Sequence, residues 1–303
     1  MFNKYYLIDI SYLTFNAAHA SFKTYNYDYN ISTSKFGPEF DPTIDDEYNY
    51  IFEQEMENRI INTIKSLSPF VDTSNIIICE DCKRDTIWRR GIYPDYKMNR
   101  DTKDVSKDKF NIGKVFAYSR TYVLPKLTEK FNCIRLNSPC AEGDDVIAVT
   151  TEYLLNENEK NKVVILTSDR DMVQLCQDRV TIMTADGTIR DPRGDMEKLL
   201  KRKIPDDITF GAKEFITVKI ITGDGGDNIP NIQRGYGIVK AYNLVVEPGM
   251  KTLKSLLTED QLIKDRFALN SKLISFKHIP QDIKDSIIDE IKTRMTKRNS
   301  NVI

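Results

Sequence analysis

Three short apolar runs, Tyr5 to Ile10, Asn75 to Cys79 and Lys162 to Thr167, are rich in Ile, Leu and Val and read as buried strands. Between them the apolar positions change period. Met56, Ile60, Ile61, Ile64 and Leu67 line one face of a helix over Glu53 to Leu67, and a second helix is predicted from Phe116 to Phe131. Strands alternating with helices imply a mostly parallel α/β sheet. Residues 21–50 hold many Tyr, Asn, Asp and Pro residues with no clean period, so they predict an irregular insertion or long loop, either contacting a ligand or simply solvated. After about residue 195 the strand signal fades and helical segments dominate, broken at GDGGDNIP and VEPGM. The expected organisation is therefore an α/β domain over 1–195 and a helical region over 196–303, with no internal repeat.

A chain of 303 residues with 40% hydrophobic composition can bury a substantial core. No run approaches the roughly 20 apolar residues that span a bilayer. The start, MFNKYYLIDISYL, has neither a basic leader region nor a small-residue cleavage site, so a cytoplasmic location is expected. Cys79, Cys82, Cys133, Cys140 and Cys176 are odd in number and scattered, which fits reduced thiols better than a disulfide framework. Cys79 and Cys82 form a C-x-x-C, but a zinc site needs two further ligands, and His19 and His278 stand alone. The net charge of −1 carries no overall basic signal. Its distribution matters more, because a site rich in carboxylates masks basic surface elsewhere in the total.

The acids fall at telling places. Asp9 ends the first predicted strand, Asp81 follows the second, and Asp169 and Asp171 follow the third. All four therefore project from one edge of a parallel sheet, where open α/β folds build their sites. Between them, SPCAEGDD opens a helix that continues VIAVTTEYLL, bringing Glu142, Asp144 and Asp145 to its first turn. Capping explains acids at one helix start, and a turn explains one Asp after a strand. Neither explains separate segments delivering acids to one edge, where like charges repel unless cations neutralise them. An all-oxygen cluster suits Mg²⁺ or Mn²⁺. Two ions about 3.5 to 4 Å apart suit phosphodiester hydrolysis by in-line displacement, with no covalent nucleophile.

Five ordered segments carry a family resemblance: LIDIS at Asp9, ICEDCKRDTIWRRGIYPDYKMNR from Ile78, AEGDDVIAV from Ala141, LTSDRDMVQL from Leu166 and ITGDGGDNIP from Ile221. Over residues 5 to about 245 the chain resembles bacteriophage ribonuclease H and 5′-exonuclease enzymes. Their relatives are flap endonucleases and the 5′-nuclease domain of bacterial DNA polymerase I. The resemblance implies a PIN-like parallel sheet flanked by helices, a C-terminal helical region, and a helix-three-turn-helix element at about 216–246. It assigns Asp9, Asp81, Glu142, Asp144, Asp145 and Asp169 to a first metal ion, and Asp171, Asp224 and Asp227 to a second, looser one. Lys97 and Arg100, joined by Arg89 or Arg90, match the basic residues that the family directs at the scissile phosphate. Arg supplies a bidentate fork there and Lys a point charge. Trp88 and Tyr96 interleave with them and either stack on an unpaired base or pack beneath the helix. Residues 101–114 occupy the place of the family's arch, in which Lys103, Lys107, Lys109 and Lys114 would follow a single-stranded backbone.

In the helix-three-turn-helix element, Gly235 and Gly237 would let the backbone approach a duplex phosphate and a K⁺ ion, with Lys240 close by. The PNIQR connection before Gly235 is one residue longer than the family's usual one, a departure that bears on the K⁺ site. LISFKHIPQDI, from Leu273 to Ile283, resembles the ribonuclease H branch and points toward primer removal in phage replication. The implied partners are branched or nicked duplex DNA and RNA/DNA hybrids, with a single-stranded-DNA-binding protein or a sliding clamp as candidate recruiter and a monomer as the default state. Two rival readings are a noncatalytic branched-DNA binder of the same fold and a metal-dependent hydrolase of small phosphate esters. The full acidic set argues against the first, and GDGGDNIP with the basic YPDYKMNR segment against the second.

Overall fold

The computed structural model describes residues 3–28, 47–66, 75–101, 112–246 and 252–300. Six strands form one sheet in the order β3-β2-β1-β4-β5-β6, where β1 is Lys4–Asp9, β2 Ile76–Cys79, β3 Ile134–Leu136, β4 Lys162–Leu166, β5 Val180–Met183 and β6 Ile189–Arg190. All neighbouring pairs are parallel except β5 and β6. The three strands expected from sequence are β1, β2 and β4. Strand β1 lies between the other two, with Leu7 opposite Ile77 on one side and Ile165 on the other.

Alternation along β1 sends side chains to two cores. Tyr6 and Ile8 face helices α1 (Ile10–Asp28) and α2 (Glu47–Ser66), where Leu13, Ala18, Met56, Ile60 and Ile64 close the packing. Complete burial of each such Ile or Leu is worth about 1.5 to 3 kcal/mol relative to exposure. The expected insertion over 21–50 is thus partly helical. Residues 21–28 extend α1 and 47–50 open α2, and burial of Ser21 and Phe22 anchors α1 at the point where its local signal weakens. Residues 29–46 of that insertion and Leu67 lie outside the described residues.

Two short helices, α3 (Trp88–Ile92) and α4 (Met98–Asp101), follow β2. The helix expected at Phe116 to Phe131 begins earlier, as α5 (Ile112–Tyr118), and continues through a π turn at Ser119–Val123 into α6 (Leu124–Phe131). On the other sheet face, Leu7, Ile77 and Ile165 pack against α7 (Gly143–Glu157). Beyond the sheet come α8 (Pro192–Leu200), α9 (Ala212–Thr222), α10 (Ile238–Val246), α11 (Leu253–Glu259), α12 (Gln261–Ile274) and α13 (Gln281–Ser300). Helices α8 to α12 gather a third core around Phe215, Val218 and Tyr242, and Val173 from the segment after β4 joins it. Helix α13 returns to the sheet, where Ile283, Ile287 and Ile291 share the core of Leu7 and Ile147.

Candidate functional site

Because β1 passes between β2 and β4, the chain leaves the sheet in different directions at their carboxyl ends and opens a crevice there. Asp9 is the last residue of β1, and its carboxylate is pinned on both sides. Oδ1 accepts the Tyr12 N–H at 3.0 Å and Oδ2 the Thr167 hydroxyl at 2.8 Å. Asp81, two residues past β2, accepts the Ser11 hydroxyl at 2.5 Å and the Gly143 N–H at 2.6 Å. A Cβ on Gly143 would stand 3.2 Å from Asp81 Oδ1, so glycine permits the close approach of α7 to this acid. Past β4, the Asp169 carboxylate accepts the Asp171 N–H at 2.7 Å. The Thr167 hydroxyl that donates to Asp9 also accepts the Asp169 N–H at 3.0 Å. Ser11, Tyr12 and Thr167 therefore set the first acids in place, a role the sequence did not disclose.

Burial pushes Asp9 up to about 7, with repulsion from Asp81 and Asp169 adding to it. Burial and repulsion from Asp169 and Asp9 hold Asp144 well above the usual carboxylate range. Asp171 also rises to about 7 through burial, against the pull of Lys219. These acids are stressed by one another, the condition a bound cation relieves.

Adjacent acids at the start of α7 part company. Consecutive helical residues point about 100° apart, so Asp144 meets the edge cluster while Asp145 turns beneath it. Asp145 is fully buried and grips Arg89 in a fork, at 2.8 Å to Oδ2 and 2.7 Å to Oδ1, with the Trp88 indole donating to Oδ2 at 2.9 Å. Glu142 caps α7 and accepts from Arg89 at 2.8 Å, Tyr96 at 3.0 Å and Lys97 at 2.5 Å. Burial alone would raise Glu142, but Lys97 and Arg89 hold it below the usual range. The structure thereby corrects two expectations. Arg89 is 3% exposed and spends its guanidinium on Asp145, Glu142 and the Leu273 carbonyl, so it does not reach the open edge. Asp145 is a buried counterion and not part of the exposed cluster. Trp88 and Tyr96 are likewise structural, packed and hydrogen-bonded beneath the site. Arg90 is partly buried beside them.

Lys97 and Arg100 lie on the loop and short helix facing the acids. Lys97 adopts a left-handed backbone with φ 56°, a conformation L-residues rarely hold and one that clusters at functional sites. Its N–H donates to the Asp227 carbonyl at 2.9 Å, and its ammonium lies between Glu142 and Asp227, 3.6 Å from the latter. Arg100 reaches Asp227 at 2.6 Å and remains exposed. Asn99 donates to the carbonyls of Gly225 and Gly226, and Asn228 returns a bond to the Asp95 carbonyl. The basic segment is thus stapled to the GDGGD turn. Burial raises Asp227, and the charges of Lys97 and Arg100 offset this only in part.

Asp224 caps that turn through the N–H groups of Gly226 and Asp227. Lys219, on α9, joins the arrangement unannounced by any sequence motif, bridging Asp171 at 2.9 Å and Asp224 at 2.7 Å. Arg120, on the π turn, lines a small cavity with Ser11 and Asp81. Gly223 has φ 66°, and a Cβ there would meet the Ile229 carbonyl at 2.4 Å, so only glycine fits the exit from α9. Gly235, with φ 89°, and Gly237 are exposed and bare, and the Lys240 ammonium stands 3.7 Å from the Tyr236 ring. Lys114 is exposed, whereas Lys103, Lys107 and Lys109 of the expected arch lie outside the described residues, as does the break after Val246. Cys79 is buried in β2 and the Cys82 thiol donates to the Lys83 carbonyl.

Among the described residues, no three His, Cys, Asp or Glu side chains close around one point at liganding distance. The acids are held by protein partners and by the cations Arg89, Lys97, Arg100 and Lys219, which are fewer than the carboxylates they meet. On donor chemistry the residues fit hard divalent cations: the donors are all oxygen, closely gathered and short of positive charge.

Comparison with known proteins decides the family. The profile described as 5′-3′ exonuclease, N-terminal resolvase-like domain, matches residues 4–203. The chain belongs to the 5′-3′ exonuclease family. It is 25% identical over 210 residues to the 5′-3′ exonuclease of Bacillus subtilis, covering 68% of this chain and 64% of that protein. It is 32% identical over 129 residues to the thermostable DNA polymerase I of Thermus filiformis, covering 42% of this chain and 14% of the polymerase. This 5′-3′ exonuclease relative therefore spans only part of the length of those proteins. A solved structure of the bacteriophage T5 flap endonuclease, in a pseudo-enzyme–product complex with DNA and metal ions, superposes with TM-score 0.64. The identity is 18%, over 97% of this chain and 100% of that one, a likeness of fold. Another T5 structure carries bound zinc.

Proposed function

We propose that the protein is a divalent-metal-dependent, structure-specific 5′ nuclease that hydrolyses phosphodiesters at 5′ ends and branch points of DNA. Ribonuclease H activity would let it remove RNA primers and 5′ flaps in phage DNA replication. The observation that carries this reading is the meeting of Asp9, Asp81, Asp144 and Asp169 at one sheet edge, opposite Lys97 and Arg100. Asp9, Asp81, Asp144 and Asp169, with Glu142, would hold one Mg²⁺ or Mn²⁺, and Asp171, Asp224 and Asp227 a second. When bound, such ions supply Lewis acidity and activate water for in-line displacement.

The chain's own residues supply the rest. Ser11, Tyr12 and Thr167 keep Asp9 and Asp81 aimed at the crevice. Lys97 and Arg100 meet a phosphate that approaches these acids and neutralise the charge growing on it. Arg89 and Asp145 position Glu142 and the start of α7 from below, touching no substrate. Gly235, Gly237 and Lys240 take the duplex backbone, with a K⁺ ion at the same turn, and Lys103 and Lys107 follow the unpaired 5′ strand. Contacts of this type position a duplex without reading its bases, so sequence preference is slight and binding weakens with salt. The reading carries with it a monomer acting in the host cytoplasm, recruited by a single-stranded-DNA-binding protein or a sliding clamp.

The test is incubation of the purified protein with a 5′-labelled flap duplex and an RNA-primed duplex, in Mg²⁺ or EDTA, beside Asp81→Ala and Asp169→Ala. Metal-dependent release of short 5′ products, lost in both variants, is the expected result. Tight binding without cleavage in any divalent metal would overturn the proposal in favour of a noncatalytic binder.

A further inference from the structure

We propose that Lys219 is a built-in stand-in for the second divalent ion: its ammonium bridges Asp171 and Asp224 and has to be displaced before an ion binds between them. This rests on the reading above that both acids are metal ligands. The two carboxylates come from unconnected segments, the turn after β4 and the turn after α9, and Lys219 holds both at once, at 2.9 and 2.7 Å. The lysine is 16% exposed, so its charge is largely removed from water and depends on this pair.

The edge cluster is built differently. Asp9 is held by a hydroxyl and a backbone N–H, and Asp169 by hydrogen bonds of its own turn. Among the described residues no ion pair reaches Asp9, Asp144 or Asp169. An ion held by Asp9, Asp81, Asp144 and Asp169 displaces no cation paired with them, and meets Lys97 and Arg89 only at Glu142, on the rim of that site, whereas one arriving between Asp171 and Asp224 competes with an ammonium seated on both. Occupancy is therefore sequential, the edge cluster first. The freed Lys219 is then left beside a cationic site, where a substrate phosphate offers it a replacement partner. A plain clamp fastening α9 to the sheet would use the same contacts but would leave ion affinity untouched when removed.

The experiment is calorimetric titration of the full chain, free of nucleic acid, with Mn²⁺, for the wild type, Lys219→Met and Lys219→Arg. The wild type should show one tighter and one weaker event. Lys219→Met should tighten the weaker event about tenfold or more, because a competing charge is gone, and Lys219→Arg should restore it. An unchanged or weakened second event in Lys219→Met, with the wild type binding normally, would overturn this inference and leave the nuclease reading standing. Absence of Mn²⁺ binding in every protein would sink both. Should Lys219→Met fail to fold, ¹⁵N-lysine spectra of the wild type decide. The Lys219 ammonium signal should move only on the second equivalent of Mg²⁺, and a signal that stays in place through saturation would refute displacement.

Discussion

Replacing Arg89 by Met should damage the fold far more than replacing Arg100, although both sit in one basic segment. Arg89 gives Nε to the Leu273 carbonyl at 2.8 Å, one terminal nitrogen to Glu142 and Asp145 at 2.8 Å each, and the other to Asp145 at 2.7 Å. Breaking a buried pair by removing one partner costs about 3 to 5 kcal/mol, because the remaining charge stays buried. Here Asp145 would keep the Trp88 indole and the Glu142 N–H, and Glu142 would keep Lys97 and Tyr96, so the lower end of that range applies. Domain stabilities are only about 5 to 15 kcal/mol, so such a loss is large. Arg100 is 48% exposed, and Arg100→Met should cost less than about 1 kcal/mol while impairing cleavage. Trp88 is the sole tryptophan, and the Arg89 guanidinium stands 4.4 Å from its ring, so its fluorescence during urea unfolding reports on the site directly. Equal stability of Arg89→Met and the wild type, or equal losses in the two variants, would refute the assignment of Arg89 as a buried positioning residue.

Three further outcomes follow from the same geometry. The folded-state values of Asp9 and Asp171 stand at about 7 against 3.8 unfolded, so the folded protein binds more protons between those limits. Metal-free stability should fall as pH rises from about 4 to 7 and Mg²⁺ should stabilise most above that window, whereas a flat melting profile in EDTA would contradict this. Gly223→Ala should destabilise by about 1 to 3 kcal/mol through a positive φ and the carbonyl contact at 2.4 Å, while Gly91→Ala, in open space on α3, should be harmless in the same melts. Thr167→Val should weaken Mn²⁺ binding in calorimetry by leaving Asp9 and the Asp169 N–H without their shared hydroxyl, and unaltered affinity would show that Thr167 does not orient them.

The sheet was legible where strands are central and apolar, as at β1, β2 and β4, because burial on both faces leaves a continuous run of Ile, Leu and Val. Strands β3 and β6 escaped because they are short and lie at the edges, and β5 because its exposed Thr181 interrupts the apolar run. The middle residue of β3 is Arg135, half-buried and paired with Glu80 at 2.8 Å, which no apolar pattern announces. The extension of α1 past Ser21 was hidden by residues of weak helix propensity, among which Phe22 is anchored in the core. Acids at strand ends were legible because chain direction alone fixes the edge they reach. The split between Asp144 and Asp145, and between Arg89 and Arg90, was not. Adjacent residues in EGDD and WRRG look alike in composition, and only the packing of α7 and α12 decides which one is buried. Lys219 escaped for a similar reason, since a lysine on an apolar helix reads as a solvated stem until the opposing turn is placed.

The acidic edge and the helical half after residue 195 are mechanically one piece. Arg89 ties the start of α7 to the Leu273 carbonyl at the end of α12, and Gln174, in the turn after β4, donates to the Ile274 carbonyl and accepts the Phe276 N–H. Asn270, buried on α12, donates to the Ile220 carbonyl in α9 and to the Pro230 carbonyl just past the GDGGD turn. Ile87 and Tyr96 share a core with Ile220, Ile229 and Leu273, directly beneath Lys97. A duplex bound at the turn between α9 and α10 would therefore pull on the backbone that carries Asp224 and Asp227, and through Lys219 on Asp171. Each of these links is a buried or part-buried hydrogen bond, ion pair or packed core, so displacement at one end is passed to the other. On the proposed reading, substrate grip at this turn and the placement of the second group of acids are therefore coupled.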